Sequence, residues 1–239
     1  MKKIKLLCIP YAGASSVIYH RWRTQFAAPI EMKALELRGR GYRMEESLLH
    51  SMDEAVHDLY EVVKEEAQSG EIALFGHSMG GYMSYLIALR MEQEKLPLRH
   101  LFLSGMRAPQ VQRDQSTHTL EEEAFIARIL DMGGTPKEVF ADPELKAMFL
   151  PLLRADYHVV DSFDHHADHP QLQTPLTIFN GSDDEAKTLN TEIWQAVAEQ
   201  YEMVTYEGDH FFLNEKKDDM IAYITRKLQT GAPQRMLFT

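Results

Sequence analysis

Short apolar runs bounded by turn residues alternate along the chain with longer stretches whose apolar positions recur at helical spacing. The short runs predict buried strands at 5–9, 32–37, 72–75, 98–104, 176–180 and 203–206. The longer stretches predict helices at 16–26, 52–68, 79–94, 189–200 and 216–228. In the second of these, Val56, Leu59, Tyr60, Val63 and Ala67 fall on a single apolar stripe, as the 3.6-residue period of a half-buried helix requires. Strands alternating with helices predict an α/β fold, a mostly parallel sheet with helices on both faces.

From about residue 107 to 170 the alternation stops. Two helical patterns stand there, at 121–132, halted by Gly133-Gly134, and at 143–153, with no strand between them. An insertion of this size between two strands predicts a helical lid on the sheet scaffold. The organisation expected is therefore a single domain over 1–239, carrying a lid at about 107–170. Residues 231–239 have few packing signals and predict a loose C-terminal tail.

Composition narrows the classes of function. With 239 residues, 44% of them hydrophobic and 26% charged, the chain can bury a large core without disulfides or metals. Its 25 Lys and Arg against 36 Asp and Glu give a net charge of -11, which argues against a nucleic-acid partner, because phosphate binding needs a basic face. The one cysteine, Cys8, lies within the first predicted strand and has no internal disulfide partner. The apolar run at residues 6–9 ends at Pro10, short of the roughly 7–15 residues of a signal sequence. No run approaches the roughly 18–20 apolar residues of a membrane span. These features predict a cytoplasmic protein with no membrane partner.

The strongest chemical signal is Gly76-His77-Ser78-Met79-Gly80-Gly81, which fits G-x-S-x-G between a predicted strand and a predicted helix. A sharp strand-to-helix turn strains the serine backbone and lifts its hydroxyl above the sheet, and small flanking residues let the two backbones approach. Ser78 is thus the candidate nucleophile. A serine hydroxyl needs a base oriented by a third group, and with this turn the chain order is serine, acid, histidine. Of the 11 histidines, His210 stands after the last predicted strand, where a loop can reach Ser78. His77 is too near in sequence and is expected to shape the turn, while His20, His57 and His100 fall before or within scaffold elements. The acid belongs after the penultimate strand, where Gly181-Ser182-Asp183-Asp184 offers two aspartates. Asp184 is favoured as the third residue beyond the glycine, with Asp183 as the alternative. The oxyanion needs two backbone N–H donors. One is expected from Met79 and the other from Ala12, in the loop Pro10-Tyr11-Ala12-Gly13-Ala14-Ser15 after the first strand. His165-His166-Ala167-Asp168-His169 could place two imidazoles on one helix face, but it lacks the Cys or Glu of common zinc motifs. It reads as a solvated connection, and no metal or organic cofactor is expected.

Taken together, these residues resemble the type II thioesterases, stand-alone α/β-hydrolases that accompany non-ribosomal peptide and polyketide synthases. The likeness is carried by 10–15, by Leu37-Arg38-Gly39-Arg40-Gly41-Tyr42-Arg43, and by the turn at 75–81. It is also carried by the lid blocks Gly133-Gly134-Thr135-Pro136, Pro143-Glu144-Leu145 and 150–156, and by Gly208-Asp209-His210-Phe211-Phe212. The pattern departs at Arg38, where proline is usual, at Tyr11, where His or Phe is common, and at Ala14, where a second Gly is common. The resemblance implies hydrolysis of acyl thioesters on the 4′-phosphopantetheine arm of acyl-loaded carrier protein domains, which clears stalled or misprimed synthases. Weak, transient docking is expected through a local basic or apolar patch near the lid, to which Arg107, Arg113, Arg128 and Arg154 are candidate contributors; the sequence leaves oligomeric state open, with a monomer as the default. Two other readings remain open: a fatty-acyl thioesterase or general esterase with the same triad, and a non-catalytic hydrolase-like binding module.

Overall fold

The structure, a computed structural model, describes residues 3–112 and 116–230. Arg113 and the expected tail at 231–239 lie outside the described residues. Six strands form one sheet: β1 (Ile4–Ile9), β2 (Ile30–Ala34), β3 (Glu71–His77), β4 (Leu98–Ser104), β5 (Leu176–Gly181) and β6 (Tyr201–Tyr206). Their order is β2-β1-β3-β4-β5-β6, and every neighbouring pair is parallel. The helices are α1 (His20–Arg23), α2 (Met52–Ala67), α3 (Met79–Gln93), α4 (Glu122–Met132), α5 (Lys137–Ala141), α6 (Pro143–Asp161), α7 (Thr191–Val197), α8 (Phe212–Glu215) and α9 (Lys217–Thr230).

Period-two alternation sends each strand's side chains to two separate cores. On one face Leu7, Ile9, Leu74, Leu101, Leu103 and Ile178 pack against Leu59 and Val63 of α2, Met83 and Ile87 of α3, and Trp194 of α7. On the other, Leu6, Cys8, Phe75, Phe102 and Phe179 meet Tyr19, Trp22 of α1, and Ile221, Ile224 and Leu228 of α9. Burying each such side chain contributes about 1.5–3 kcal/mol, so both faces hold the sheet in place. α4 to α6 lie in the segment between β4 and β5, with a small core of their own around Phe125, Ile129 and Leu153.

Four elements differ from the sequence expectation. The helix expected at 189–200 is only α7, Thr191–Val197, because the chain turns extended at Ala198 and enters β6 at Tyr201. β2 spans Ile30–Ala34 rather than 32–37. The apolar Leu35 and Leu37 are buried beyond the strand, and the buried Glu36 accepts from the Ser16 N–H at 2.9 Å and hydroxyl at 2.8 Å. The expected helix at 16–26 is a 3-10 turn, Ser16–Tyr19, followed by the four residues of α1. α6 runs on past Pro151 to Asp161 instead of stopping at 153, burying Leu153, Asp156, Val159 and Val160 along its inner face.

The topology also fixes where chemistry can occur. The chain leaves β1 for the edge strand β2 and then crosses back to β3 on the other side of β1. Loops leaving the carboxyl ends of β1 and β3 therefore diverge, and the crevice between them is where parallel α/β sheets hold ligands. Among the described residues, no helix is long and apolar enough to cross a membrane.

Candidate active site

Ser78 sits at the junction of β3 and α3 with φ 53° and ψ −116°. That is a left-handed φ that non-glycine residues rarely adopt. The surroundings enforce it. The Ser78 N–H is held by the Ser104 carbonyl at 2.8 Å, and its own carbonyl accepts from the Gly81 N–H at 2.9 Å. Gly76 and Gly80 admit no side chain, since a methyl on Gly76 would overlap the Gly80 carbonyl and one on Gly80 would overlap those of Ile9 and Pro10. The hydroxyl lines a cleft of about 590 Å3 together with Ala12, Asp184 and His210. Its other walls come from both sides: Tyr82 and Met106 from the sheet scaffold, Leu120, Met132, Tyr157 and Val160 from the lid segment.

His210 follows β6 and Asp184 follows β5, as their chain order requires. The imidazole Nδ1 lies 3.1 and 3.0 Å from the two Asp184 oxygens. This contact holds the donor at Nδ1 and leaves Nε2 as the nitrogen that can take a proton. Asp184 is buried and also accepts from the Ala186 N–H at 2.8 Å. Burial alone would push its carboxyl up, but the hydrogen bond and charge of His210 outweigh this and hold it below the usual range. Asp184 is therefore ionised at neutral pH. Asp183 instead is exposed and accepts from the neighbouring Ser182 hydroxyl. Asp184→Asn is expected to lower kcat by about 10^4-fold, because the amide no longer holds the imidazole in the tautomer with its proton on Nδ1, and Asp183→Asn to change it less than about threefold. Steady-state kinetics of the two variants checks this, and the reverse order would exchange their roles.

The two expected oxyanion donors flank the serine. Met79 is the first residue of α3, so its N–H has no partner within the helix and sits at the positive end of the helix dipole. Ala12 reaches the cleft from a turn in which the Ala14 N–H donates to the Tyr11 carbonyl at 3.1 Å and Gly13 has φ +80°. Ala12 has no positive φ, so the turn is type II. In a trans peptide the N–H points opposite to its carbonyl, so pinning the Tyr11 oxygen inside the turn aims the Ala12 N–H outward.

His77 shapes the turn as expected. It is fully buried, its Nδ1 lies 2.9 Å from the Ser104 hydroxyl, and its ring stands 5.0 Å from that of His210. Burial drives its pKa well below the ordinary imidazole value, so it stays neutral beside the base. Gly105, at φ +56°, leaves room for the ring where a methyl would strike it. His100 is a scaffold residue, stacked 4.2 Å from Phe102 with Nε2 2.8 Å from the Thr177 hydroxyl, and burial lowers its pKa to about 4. His165 Nδ1 lies 2.8 Å from the Pro109 carbonyl, and His169 meets the Tyr85 ring.

Of the arginines considered for docking, Arg107 and Arg128 line the cleft, and Arg128 pairs with Asp131 at 3.2 Å. Arg154 is committed inside the lid, donating to the His118 and Leu120 carbonyls at 2.7 Å each and lying over the Phe125 ring. Sequence reasoning attached no role to Arg40 and Asp156, which the structure joins as a buried ion pair beside the Ala12 turn. They stand 116 positions apart, and no local pattern pairs them.

Comparison with known proteins identifies the family. Residues 4–228 match the family model described as a thioesterase domain. The gramicidin S biosynthesis protein GrsT of Aneurinibacillus migulanus is 36% identical over 235 residues, covering 95% of this chain and 90% of that protein. The medium-chain S-acyl fatty acid synthase thioesterase of Rattus norvegicus is 34% identical, covering 87% of this chain and 81% of that protein. Among solved structures, ClbQ from the colibactin NRPS/PKS pathway superposes with a TM-score of 0.88 at 30% identity, covering 95% of this chain and 98% of that one. The chain, an α/β-hydrolase with a cleft holding serine, histidine and aspartate, belongs to the thioesterase domain family and is a thioester hydrolase similar to the type II thioesterases of non-ribosomal peptide and polyketide pathways.

Proposed function

We propose that the enzyme removes acyl groups from the 4′-phosphopantetheine arm of carrier protein domains, editing stalled or misprimed non-ribosomal peptide or polyketide synthases. The observation that carries this reading is the cleft at the carboxyl edge of the sheet, lined together by Ser78, an Asp184–His210 pair and residues of the helical lid. Ser78 Oγ attacks the thioester carbonyl as His210 Nε2 takes its proton, and Asp184 stabilises the imidazolium. The Met79 and Ala12 N–H groups receive the oxyanion. The thiolate of a thiol with a pKa of roughly 8.5 leaves readily and takes up the proton held by His210, which returns the imidazole to its neutral form. His210 then takes a proton from water, which releases the acid and restores the serine. These groups supply nucleophile, base and oxyanion donors, so the reaction calls for no cofactor.

The synthase setting is supported by the relatives, among them GrsT and proteins of the colibactin and yersiniabactin NRPS/PKS pathways. The enzyme acts in the cytoplasm as a monomer that meets its carrier domain transiently. With a net charge of -11 it docks through local features at the mouth of the cleft. Arg107 and Arg128 line that cleft, and Leu130, Leu145 and Met148 are exposed on the lid helices. A second reading, a medium-chain fatty-acyl thioesterase, is favoured by the similarity to the rat enzyme.

Side-by-side assay of one acyl group on a purified synthase carrier domain, on coenzyme A and as a p-nitrophenyl ester separates these. The synthase-editing reading expects kcat/KM at least about tenfold higher on the carrier domain, the equivalent of roughly 1.4 kcal/mol of added binding. Preference for the oxygen ester, or for medium-chain acyl groups whatever their carrier, would replace it.

A further inference from the structure

The buried Arg40–Asp156 pair joins three segments distant in sequence: the Ala12 turn, the loop after β2 and the lid helix α6. Asp156 is 3% exposed and Arg40 6%. Both Asp156 oxygens accept from the guanidinium at 2.6 Å, and Oδ2 also accepts from the Gly13 N–H at 2.7 Å. Arg40 donates in addition to the Ala14 carbonyl at 3.1 Å. The pair therefore grips the turn at two adjacent residues, through the Gly13 N–H and the Ala14 carbonyl. Ala14 in turn holds the Tyr11 carbonyl, which belongs to the same peptide as the Ala12 N–H. α6 rests directly on the bare Gly13 backbone, where a methyl would come within 2.5 Å of Leu153 Cδ2.

A type II turn and its type I counterpart differ by a flip of the central peptide. Here that peptide is Ala12–Gly13, and its N–H is the one bonded to Asp156. A buried acceptor at this point selects the type II turn; the flip would leave the Tyr11–Ala12 peptide in place, so what the pair sets for the Ala12 N–H is the position of the whole turn, held at the Gly13 N–H and the Ala14 carbonyl against α6. We infer that Asp156 and Arg40 are positioning residues for the oxyanion hole, so that the end of the lid helix is a fixed brace of the catalytic turn. The inference rests on the reading of Ala12 as an oxyanion donor. It adds that the donor's aim depends on a carboxylate of the lid.

The test compares two double variants that leave no unpaired buried charge. Arg40→Met with Asp156→Leu removes the acceptor for Gly13, while Arg40→Met with Asp156→Asn keeps one. The first is expected to lower kcat about 30-fold, a fraction of the 10^2–10^3 that loss of a whole oxyanion donor costs. A trifluoromethyl ketone that forms an alkoxide on Ser78 should lose affinity in proportion. KM and the affinity for a non-hydrolysable thioether analogue of the substrate should stay within twofold, and the Asn variant should recover most of the loss. A merely structural role would not separate alkoxide from thioether binding. Unchanged kcat, or a loss confined to KM and thioether affinity, overturns the inference. If the Leu variant does not fold, Arg40→Met with Asp156→Ala, which also removes the acceptor for Gly13 but adds no bulk and leaves no buried charge, decides. A drop in kcat and ketone affinity of about tenfold with thioether affinity intact supports the brace, and no drop removes it. Ser78→Ala measured in parallel keeps the two readings apart, since residual turnover there would count against the triad and not against the brace.

Discussion

Replacing Ser78 with alanine is expected to reduce turnover of any acyl thioester by at least about 10^4-fold, the scale found when a serine nucleophile is removed from a working triad. The cleft, the Asp184–His210 pair and the oxyanion donors would survive, so substrate should still bind with nearly unchanged affinity. Stability separates two variants that activity cannot. Alanine keeps the φ of 53° imposed at this position and so keeps its strain. Ser78→Gly releases a strain of roughly 1–3 kcal/mol, less the roughly 0.4–1 kcal/mol by which glycine favours the unfolded chain. The glycine variant should thus be as inactive as alanine and yet about 1 kcal/mol more stable, a rise in Tm of about 2–4 °C for a chain of this size. Calorimetry and single-turnover kinetics read both effects. An alanine variant with more than a percent of the parent rate would remove Ser78 from the reaction.

The parts legible in the sequence were those whose signal is local. The strand, G-x-S-x-G and helix sequence around Ser78 announces the turn, because each glycine is required by a backbone contact within a few residues or with the adjoining strand. Asp184 and His210 could be found because parallel topology puts the ends of β5 and β6 on the same edge as the end of β3. The two ends of α6 show the limit. Asp142 caps its start, accepting from the Glu144 N–H at 2.8 Å, and that end was read correctly. Its continuation to Asp161 was not, since Pro151 and the polar Asp156 interrupt the apolar period that marks a buried face. Asp156 is buried only because Arg40 is there to meet it. β2 is offset from the apolar pattern for a similar reason. Leu35, Glu36 and Leu37 are all buried, but they serve the loop that holds Ser16, and burial without alternation looks like a strand. A polar residue satisfied by a distant partner leaves no periodic trace, so the brace behind the oxyanion turn became visible only when the chain was folded.

Gly76→Ala should be the most disruptive small substitution in the molecule. Gly76 is the penultimate residue of the central strand β3, in register with Ile9 of β1, and its φ lies outside the left-handed region. Alanine is therefore not excluded there by backbone conformation, and the whole cost comes from space. An added methyl would overlap the Gly80 carbonyl carbon and oxygen and reach Ser84 Oγ at 2.5 Å. The first two are backbone atoms that cannot move without shifting α3. Gly80 in turn presses on the carbonyls of Ile9 and Pro10, so a displaced α3 would also disturb the start of the oxyanion turn. Overpacking of ordinary cores costs about 1–3 kcal/mol. Against rigid backbone on three elements the cost should exceed about 4 kcal/mol, a large part of the total stability of a domain. Gly133→Ala is the matched control, because there φ is +80° and the methyl meets only the Phe211 ring at 3.5 Å, an ordinary contact. With ψ −170° the residue lies in a region that is essentially glycine's alone, and the change should cost about 1–3 kcal/mol of backbone strain. Urea unfolding of the two variants separates close approach from backbone conformation. Equal midpoints would mean that the serine turn has slack the packing of its glycines does not show, and the left-handed φ of Ser78 would then need another cause.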